Sequence, residues 1–134
     1  MSDPVVVLDS GAIDQAVTNQ EFRWVLRDLV EGGWAPVVPT VVLAEATTGR
    51  PTDAPVNQAV KQIGTVDTTP PTARLAGRLR FAVKRSGTHR IPSAIDAIVA
   101  AHAAEVGAGV VFTTDPSDLR RLLAGTPGVV VEKP

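Results

Sequence analysis

Val5-Val6-Val7-Leu8-Asp9-Ser10-Gly11 is the stretch that decides the fold of this 134-residue chain. Its first four residues are apolar at every position, a pattern typical of a parallel strand that is covered on both faces. Asp-Ser-Gly then ends the strand with residues that favour turns. The stretch therefore predicts an α/β protein with a mostly parallel central sheet. It also places an acid, Asp9, at the carboxyl end of a central strand.

The rest of the chain alternates between strand-like and helix-like patterns, which predicts a three-layer α/β/α sandwich formed by one domain, residues 1–134. Further strands are predicted over 34–38, 64–66, 109–113 and 129–131, and helices over about 12–17, 21–31, 41–46, 56–63, 70–85, 93–106 and 115–125. Pro36 places the second strand at a sheet edge or in a partly paired position. Residues 48–55 are predicted as a loop. Helix caps are predicted at Thr18, Thr40, Ser93 and Asp115.

Composition limits the kind of protein and the kind of site. Hydrophobic residues make up 44% of the chain and charged residues 20%, as in an ordinary soluble globular protein. The absence of cysteine excludes disulfides and thiolate metal sites, so any metal would be held by oxygen atoms or by the two histidines. The chain start does not resemble a signal peptide, and no apolar run approaches the roughly 20 residues of a membrane span. We therefore expect a cytoplasmic protein without a membrane partner.

Basic residues are concentrated in one segment, although the net charge is only −1. No acid lies between Asp67 and Asp96. The cations of this interval are Arg74, Arg78, Arg80, Lys84, Arg85 and Arg90, together with His89. They form either the solvated face of a helix or a surface that could hold a polyanion near a metal.

Acids lie at or next to the ends of apolar segments in several places: Asp9, Glu45, Asp96 and Asp115, with Asp118 as a fifth candidate. Ligand sites of parallel α/β sheets lie beyond the carboxyl ends of the strands, where Asp9 and Asp115 are predicted. Two carboxylates 4 Å apart repel by about 4 kcal/mol at an effective dielectric constant of 20, so converging acids require a cation. All-oxygen ligation suits Mg²⁺ or Mn²⁺. The acids therefore predict a pocket that holds one of these metals and activates water for attack on phosphorus.

Each acid also has a structural interpretation. The alternatives are a turn residue for Asp9, a salt bridge with Arg50 for Glu45, a capping box with Ser93 for Asp96, a helix cap for Asp115 and a capping partner for Asp118. His102 is interpreted as a structural, partly buried histidine, and His89 as either a phosphate contact or an ordinary loop residue. The larger aromatic residues are interpreted as core or subunit contacts: Phe22, Trp24 and Trp34.

Four segments, in this order and spacing, resemble the PIN domain, specifically the toxin of a VapBC-type toxin–antitoxin pair. They are Val6 to Ala12, Leu43-Ala44-Glu45, Ser93 to Ala103 and Val111 to Leu119. The resemblance covers essentially the whole chain. It implies a metal-dependent endoribonuclease that hydrolyses RNA phosphodiester bonds with Mg²⁺ or Mn²⁺.

The resemblance also implies roles for individual residues and for partners. The acids that match the family's metal-binding and catalytic positions are Asp9, Glu45, Asp96 and Asp115. Thr114 would supply a hydroxyl that orders the metal shell, and Asp118 would be an accessory acid. Members of this family usually dimerise and are held inactive by a cognate antitoxin whose C-terminal part enters the groove. We therefore expect a homodimer, an antitoxin and an RNA substrate.

Other functions remain open at this point. A response-regulator receiver would need paired acids soon after the first strand and a lysine after a late strand, but Ser10-Gly11 and Thr113-Thr114-Asp115 occupy those places. A haloacid-dehalogenase-type phosphatase would need Asp-x-Asp after the first strand, and Gly11 stands at the second position. A non-catalytic interaction module of the PIN fold is the alternative that only an activity measurement can test.

Overall fold

The computed structural model describes residues 3–87 and 90–134. Within them, five strands form one sheet in the order β3-β2-β1-β4-β5, and every neighbouring pair is parallel. The strands are β1 Val5–Leu8, β2 Ala35–Pro39, β3 Thr65–Val66, β4 Gly109–Phe112 and β5 Val129–Glu132. This order differs from the 2-1-3-4-5 order of receivers, so the receiver alternative is wrong.

Seven α-helices accompany these strands in the described ranges: α1 Ser10–Thr18, α2 Gln20–Glu31, α3 Leu43–Ala46, α4 Ala54–Ile63, α5 Pro70–Arg85, α6 Ala94–Val106 and α7 Pro116–Leu122. Helix α1 packs against α2, α3 and α4, whereas α5, α6 and α7 pack against one another. The chain runs from β1 to β2 and β3 towards one edge of the sheet, and then crosses back to β4 and β5 at the other edge. Because crossovers between parallel strands are right-handed, the helices of these two directions lie on opposite faces of the sheet. The predicted three-layer sandwich is confirmed. No helix in the same ranges is long and apolar enough to cross a membrane.

The central strand β1 forms the middle of the core. Its residues Val6, Val7 and Leu8 are fully buried, with 0% of each exposed. On one face, Phe22 of α2 meets Phe112 of β4 edge-on, with the ring centroids 4.9 Å apart. On the other face, α6 contributes a row of buried small residues. Each buried valine or leucine stabilises the fold by roughly 1.5–3 kcal/mol, so the wholly apolar run accounts for the central position of β1.

Strand β2 shows why a proline is tolerated inside the sheet. Residues 35–37 pair with β1, whereas only Val38 and Pro39 pair with the short β3. Pro36 therefore lies where the strand has a neighbour on one side only. The prediction of a partly paired strand is confirmed, and the sheet edges are formed by β3 and β5.

Two predicted helix caps are wrong. Helix α1 extends to Thr18, whose hydroxyl donates to the Asp14 carbonyl at 3.0 Å. Asn19 is therefore the first extended residue, and its side chain accepts from the Phe22 N–H at 3.2 Å to cap α2. Thr40 begins a 3-10 helix over 40–42 that has no side-chain cap in the described structure.

Further along the chain, the Ser93 hydroxyl oxygen accepts from the Asp96 N–H at 3.1 Å, so the predicted cap of α6 is confirmed. Gly107 ends that helix with a φ of 79°, a left-handed conformation that favours glycine. Helix α7 ends at Leu122, before the predicted end near Gly125.

The predicted loop over 48–55 is shorter than expected, because a 3-10 helix covers Pro51–Asp53 and α4 follows directly. Asp53 is 7% exposed, and its carboxylate accepts from the N–H groups of Thr48 and Gly49 and from the Thr48 hydroxyl at 2.8–3.1 Å. These bonds, foremost the one from the Thr48 N–H, hold the pKa of Asp53 below its ordinary value. Asp53 thus closes this turn, a role that the sequence reasoning missed.

Candidate active site

The crevice between β1 and β4 is the topological switch point of the sheet. From β1 the order runs to β2 and β3 on one side and to β4 and β5 on the other. Ligands of parallel α/β proteins bind at such points, beyond the carboxyl ends of the strands. Leu8 pairs with Phe112 at these ends, and the Asp9 N–H donates to the Phe112 carbonyl at 3.3 Å. Asp9 and Thr113 are thus the first residues past the two paired strands.

Asp9 is held in place by the helix that follows it. It is the N-cap of α1, and its Oδ1 accepts from the Ala12 N–H at 2.9 Å. The Thr113 hydroxyl, after β4, donates to the Asp115 carbonyl at 3.2 Å. Burial raises the pKa of Asp9, the neighbouring Thr113 hydroxyl and backbone N–H groups partly oppose this effect, and the negative charge of Asp115 adds to it. Asp9 is therefore a helix cap and, in addition, a carboxylate whose ionisation is less favourable than usual.

Asp96 lies in the first turn of α6, where the Ser93 cap positions it. Burial raises the pKa of Asp96, the Ser93 hydroxyl lowers it through a hydrogen bond, and the charges of three other acids raise it further. Those acids are Asp9, Asp118 and Glu45. The charges of acids on three other elements therefore act on Asp96. That these acids together form a metal pocket stays a prediction.

Asp115 occupies the N-cap position of α7, but its side chain caps no N–H in the described structure. Pro116 takes the first helical position and has no N–H to satisfy. Instead, the Asp115 N–H donates to the Thr113 hydroxyl oxygen at 3.1 Å. The interpretation of Asp115 as a side-chain cap is wrong, and the exposed carboxylate remains available to a ligand.

Asp118 and Glu45 differ in their surroundings. Asp118 is 4% exposed and forms the two ion pairs found in the described ranges, with Arg121 at 2.6 Å and with Arg90 at 3.7 Å. Its carboxylate therefore bonds to arginine, and the interpretation as a capping partner is replaced by an ion-pair role. Glu45 is exposed on α3, and the predicted salt bridge with Arg50 is not formed.

The donor set suits a hydrated divalent cation better than a bare one. In residues 3–87 and 90–134, no three acidic or histidine side chains lie close enough together to ligate one metal ion as they stand. Mg²⁺, however, usually keeps several of its waters and uses only one or two protein carboxylates. Asp9, Asp96 and Asp115 supply oxygen atoms of the right chemistry for this mode of binding. The chemistry of these side chains suits Mg²⁺ or Mn²⁺, and binding of either metal stays a prediction.

The same fold occurs in solved structures. A chain of VapBC2 from Rickettsia felis, bound to a promoter DNA fragment, matches with a TM-score of 0.75 and 17% sequence identity, over 96% of this chain and 98% of the matched chain. A chain of DNA-bound VapBC from Salmonella typhimurium matches with a TM-score of 0.71 and 20% identity, over 97% of this chain and 98% of the matched chain. A chain of FitAcB from Neisseria gonorrhoeae matches with a TM-score of 0.66 and 16% identity, over 95% of this chain and 96% of the matched chain. The chain has the PIN-domain fold. No family model and no curated protein matches it.

In this PIN fold the hydroxyl that lowers the pKa of Asp9 belongs to Thr113, whereas the resemblance implies a role in the metal shell for Thr114. Thr113 is 1% exposed. Thr114 is exposed, and its hydroxyl lies against Gly11, where a Cβ atom would collide with it. The parallel register was the signal that could have identified Thr113, because the residue after Phe112 lies opposite the residue after Leu8.

The basic residues of α5 divide into two groups. Arg74, Arg78, Lys84 and Arg85 are exposed. Arg80 is half-buried, and its Nε donates to the Pro92 carbonyl at 2.9 Å, which joins α5 to the segment before α6. Arg90 pairs with Asp118 as described above. His89 lies outside the described residues.

The remaining interpretations concern His102 and the aromatic residues. His102 is buried, and its Nε2 lies 3.0 Å from the Thr68 hydroxyl oxygen, so its structural role is confirmed. Burial lowers the pKa of His102. Phe22 is in the core, and Trp34 packs partly buried against it. Trp24 is 49% exposed on α2, so a core role for it is wrong.

An apolar cavity of about 380 Å³ lies between α2 and α4, away from the acids of the switch point. Leu26, Val30 and Ile63 are among its apolar walls, and Arg23 and Arg27 lie on its rim. The cavity also reaches Ala16 at the far end of α1 from Asp9. It is therefore a second surface of the PIN fold, separate from the acidic crevice.

Proposed function

We propose that this protein is a metal-dependent endoribonuclease that hydrolyses RNA phosphodiester bonds and acts as the toxin of a type II toxin–antitoxin pair. One observation carries the proposal. Asp9 follows β1 and Asp115 follows β4 at the switch point of the sheet, and Asp9 and Asp96 are both partly buried. Burial and the charges of neighbouring acids raise the pKa of Asp9 and of Asp96, so ionisation of both is less favourable than usual unless a cation offsets the charges.

Asp9, Asp96 and Asp115 are the residues that would hold Mg²⁺ or Mn²⁺. When bound, the metal supplies the positive charge that offsets both the carboxylates and the phosphate of the substrate. Glu45, exposed on α3, would orient a water molecule and accept a proton from it, and its charge contributes to the raised pKa of Asp96. Asp118 acts as an accessory acid that places Arg121 and Arg90 near the crevice.

The supporting hydrogen bonds preorganise the two central carboxylates. The Asp9 carboxylate is fixed by the Ala12 N–H, and the Ser93 hydroxyl oxygen holds the first turn of α6 by accepting from the Asp96 N–H. Fixed carboxylates lose little conformational entropy when a metal and a phosphate arrive. The rigid strand ends of β1 and β4 thereby contribute to binding, although they touch no substrate.

The proposed protein partners are a cognate antitoxin and a second copy of the chain. Support for the antitoxin comes from the fold, which this chain shares with VapBC and FitAcB structures. The cavity between α2 and α4 fits an amphipathic antitoxin segment, because its lining is mostly apolar and Arg27 would pair with an acid of that segment. Arg23 Nη1 already donates to the Ala16 and Val17 carbonyls, and Glu31 also lines the cavity.

Mn²⁺ binding and RNA cleavage by the wild type and by Asp96→Asn test the nuclease proposal. Calorimetry should detect Mn²⁺ binding to the wild type and much weaker binding to the variant. Cleavage of a labelled RNA should fall roughly 100-fold or more, because an acid essential for charge compensation is lost. Asp28→Asn, which neutralises an exposed acid of α2, is the matched control and should behave as the wild type. Full cleavage by a folded Asp96→Asn protein would contradict the proposal.

A non-catalytic interaction module is the second candidate function. It is favoured by the absence of a ready three-ligand metal site in the described part of the chain. If the folded wild type neither binds Mn²⁺ nor cleaves RNA, yet still binds an acidic amphipathic peptide at the α2–α4 cavity, this function replaces the nuclease.

A further inference from the structure

Helix α5 carries an exposed aromatic ring beside a shallow groove. Phe81 is 57% exposed, and Ile91 on the neighbouring segment is 44% exposed. Together with Gly77, Arg80 and Lys84 these residues line a groove of about 250 Å³, hereafter the α5 groove. Exposing a phenyl ring to water is unfavourable, so a ring that helps to line a groove marks a contact surface.

The surroundings of this ring are strongly positive. The Arg85 guanidinium lies 5.9 Å from the centroid of Phe81 and still leaves more than half of the residue exposed. Lys84 lines the α5 groove, and Arg78 is exposed one helical turn before Phe81. No acid occurs between Asp67 and Asp96 to balance these charges. The groove therefore combines an aromatic face with cations, the combination that binds single-stranded nucleic acid.

A short segment connects the α5 groove to the helix that carries Asp96. Ile91 and Pro92 lead directly into the Ser93 cap of α6, and Asp96 lies in the first turn of that helix. The bond from Arg80 to the Pro92 carbonyl fixes this short segment against α5. An RNA strand that follows this segment would run from the groove towards Asp96.

The positive charge of the α5 groove favours RNA over a second copy of the chain as its occupant. A twofold contact through the α5 groove would bring Lys84 and Arg85 of one copy towards the same cations of the other, and like charges repel. Phosphates would instead neutralise them. The observations therefore favour a polyanion that also presents a flat ring.

We propose that the α5 groove binds an unpaired nucleobase of the RNA substrate, which stacks on Phe81 while neighbouring phosphates contact Lys84 and Arg85. This inference rests on the proposed nuclease function. It assigns the stretch of RNA next to the cleaved bond to the α5 groove. Stacking tolerates any base, because every base has a π face. Selectivity for single-stranded over double-stranded RNA is the expected consequence.

Fluorescence anisotropy with fluorescein-labelled polyuridine about 12 nucleotides long, in EDTA, tests the groove without cleavage. Phe81→Ala should weaken binding by roughly 5- to 100-fold with little change in salt dependence, and Phe81→Trp should restore it and show quenched tryptophan fluorescence on binding. Lys84→Gln should reduce the slope of log affinity against log salt by about one. Trp24→Ala removes an equally exposed aromatic residue of α2 and should leave binding unchanged.

The outcomes separate this inference from the nuclease proposal. If Phe81→Ala binds the labelled RNA as tightly as the wild type, the proposed binding in the α5 groove is contradicted, whether or not the wild type cleaves RNA with Mn²⁺. A wild-type dimer that Phe81→Ala converts to monomer, with RNA binding unaltered, also overturns it and assigns the surface to a second copy. Phe81-dependent binding without any cleavage supports the groove and contradicts the nuclease.

Discussion

The hydroxyl of Thr113 donates to the Asp115 carbonyl at 3.2 Å and accepts from the Asp115 N–H at 3.1 Å, where β1 and β4 end side by side. The same hydroxyl lowers the pKa of Asp9, the residue that follows β1. One buried threonine therefore connects the two acids that follow the central strands. Because Thr113 is 1% exposed, solvent does not replace either bond when the side chain is changed.

Replacing Thr113 by Val should preserve its shape and remove both bonds. The Asp115 N–H then loses its partner, which costs about 1–3 kcal/mol if it becomes buried. The pKa of Asp9 should rise further, so the pH profile of RNA cleavage should shift to higher pH and kcat/KM at pH 7 should fall about 10-fold. Thr113→Ser keeps a hydroxyl and should retain most of the activity. If Thr114→Val instead loses the activity and Thr113→Val does not, the role belongs to Thr114, as the family resemblance implied.

Asp96→Asn should stabilise the protein at neutral pH while it removes activity. Burial and three neighbouring acids raise the pKa of Asp96 above 3.8, so the folded state binds this proton more tightly than the unfolded state. The free energy of unfolding therefore falls as the pH rises from 3.8 through the raised pKa of Asp96, and above that pKa the full cost of the buried charge is present. Asparagine removes the penalty, and we expect a gain on the order of 1 kcal/mol or less at pH 7.

Urea unfolding of the wild type, Asp96→Asn and the control Asp28→Asn at several pH values measures this effect. The gain should shrink as the pH falls towards 3.8, where Asp96 is protonated in the folded wild type. Loss of stability in Asp96→Asn at pH 7 would show that hydrogen bonding from Ser93 outweighs the repulsion between the acids.

The ion pair of Asp118 with Arg121 should contribute measurably to stability, whereas that with Arg90 should contribute little. The Arg121 pair is 2.6 Å long with 38% of the arginine side chain exposed, but the Arg90 pair is 3.7 Å long with 75% exposed. Exposure screens the charges. A double-mutant cycle with Asp118→Asn and Arg121→Gln should give a coupling energy of about 1 kcal/mol, and the corresponding cycle with Arg90→Gln near zero. Equal couplings would refute this ranking.

His102 should make the fold less stable in mild acid. Burial lowers its pKa below 6.5, and the charge of Glu105 opposes that effect only in part. The unfolded state then binds more protons than the folded state between the lowered pKa and 6.5, so stability is lost as the pH falls below 6.5. His102→Gln can still hydrogen-bond to Thr68 but does not titrate. The urea midpoint of His102→Gln should vary less with pH below 6.5 than that of the wild type. An identical pH dependence in both proteins would assign the loss of stability in mild acid to other groups.

Much of the fold was predictable, because its elements depend on short-range patterns. The apolar run of β1, the glycine after α6 and the serine before it are each local signals, and each proved correct. The errors were local as well. Helix α1 extends further than its apolar residues indicated, and this moved the cap of α2 to Asn19.

Local sequence patterns predicted correctly that Asp9 and Asp115 follow buried strands and that Asp96 lies in the first turn of a capped helix. Strand order and register were needed to show that the charge of Asp115 acts on Asp9 and that of Asp9 on Asp96, that Thr113 affects the pKa of Asp9, and that Asp118 pairs with arginines. The physical reason is that hydrophobic periodicity acts over a few residues. Contacts between distant segments depend instead on strand order and register, which place β1 beside β4 and α6 across their ends.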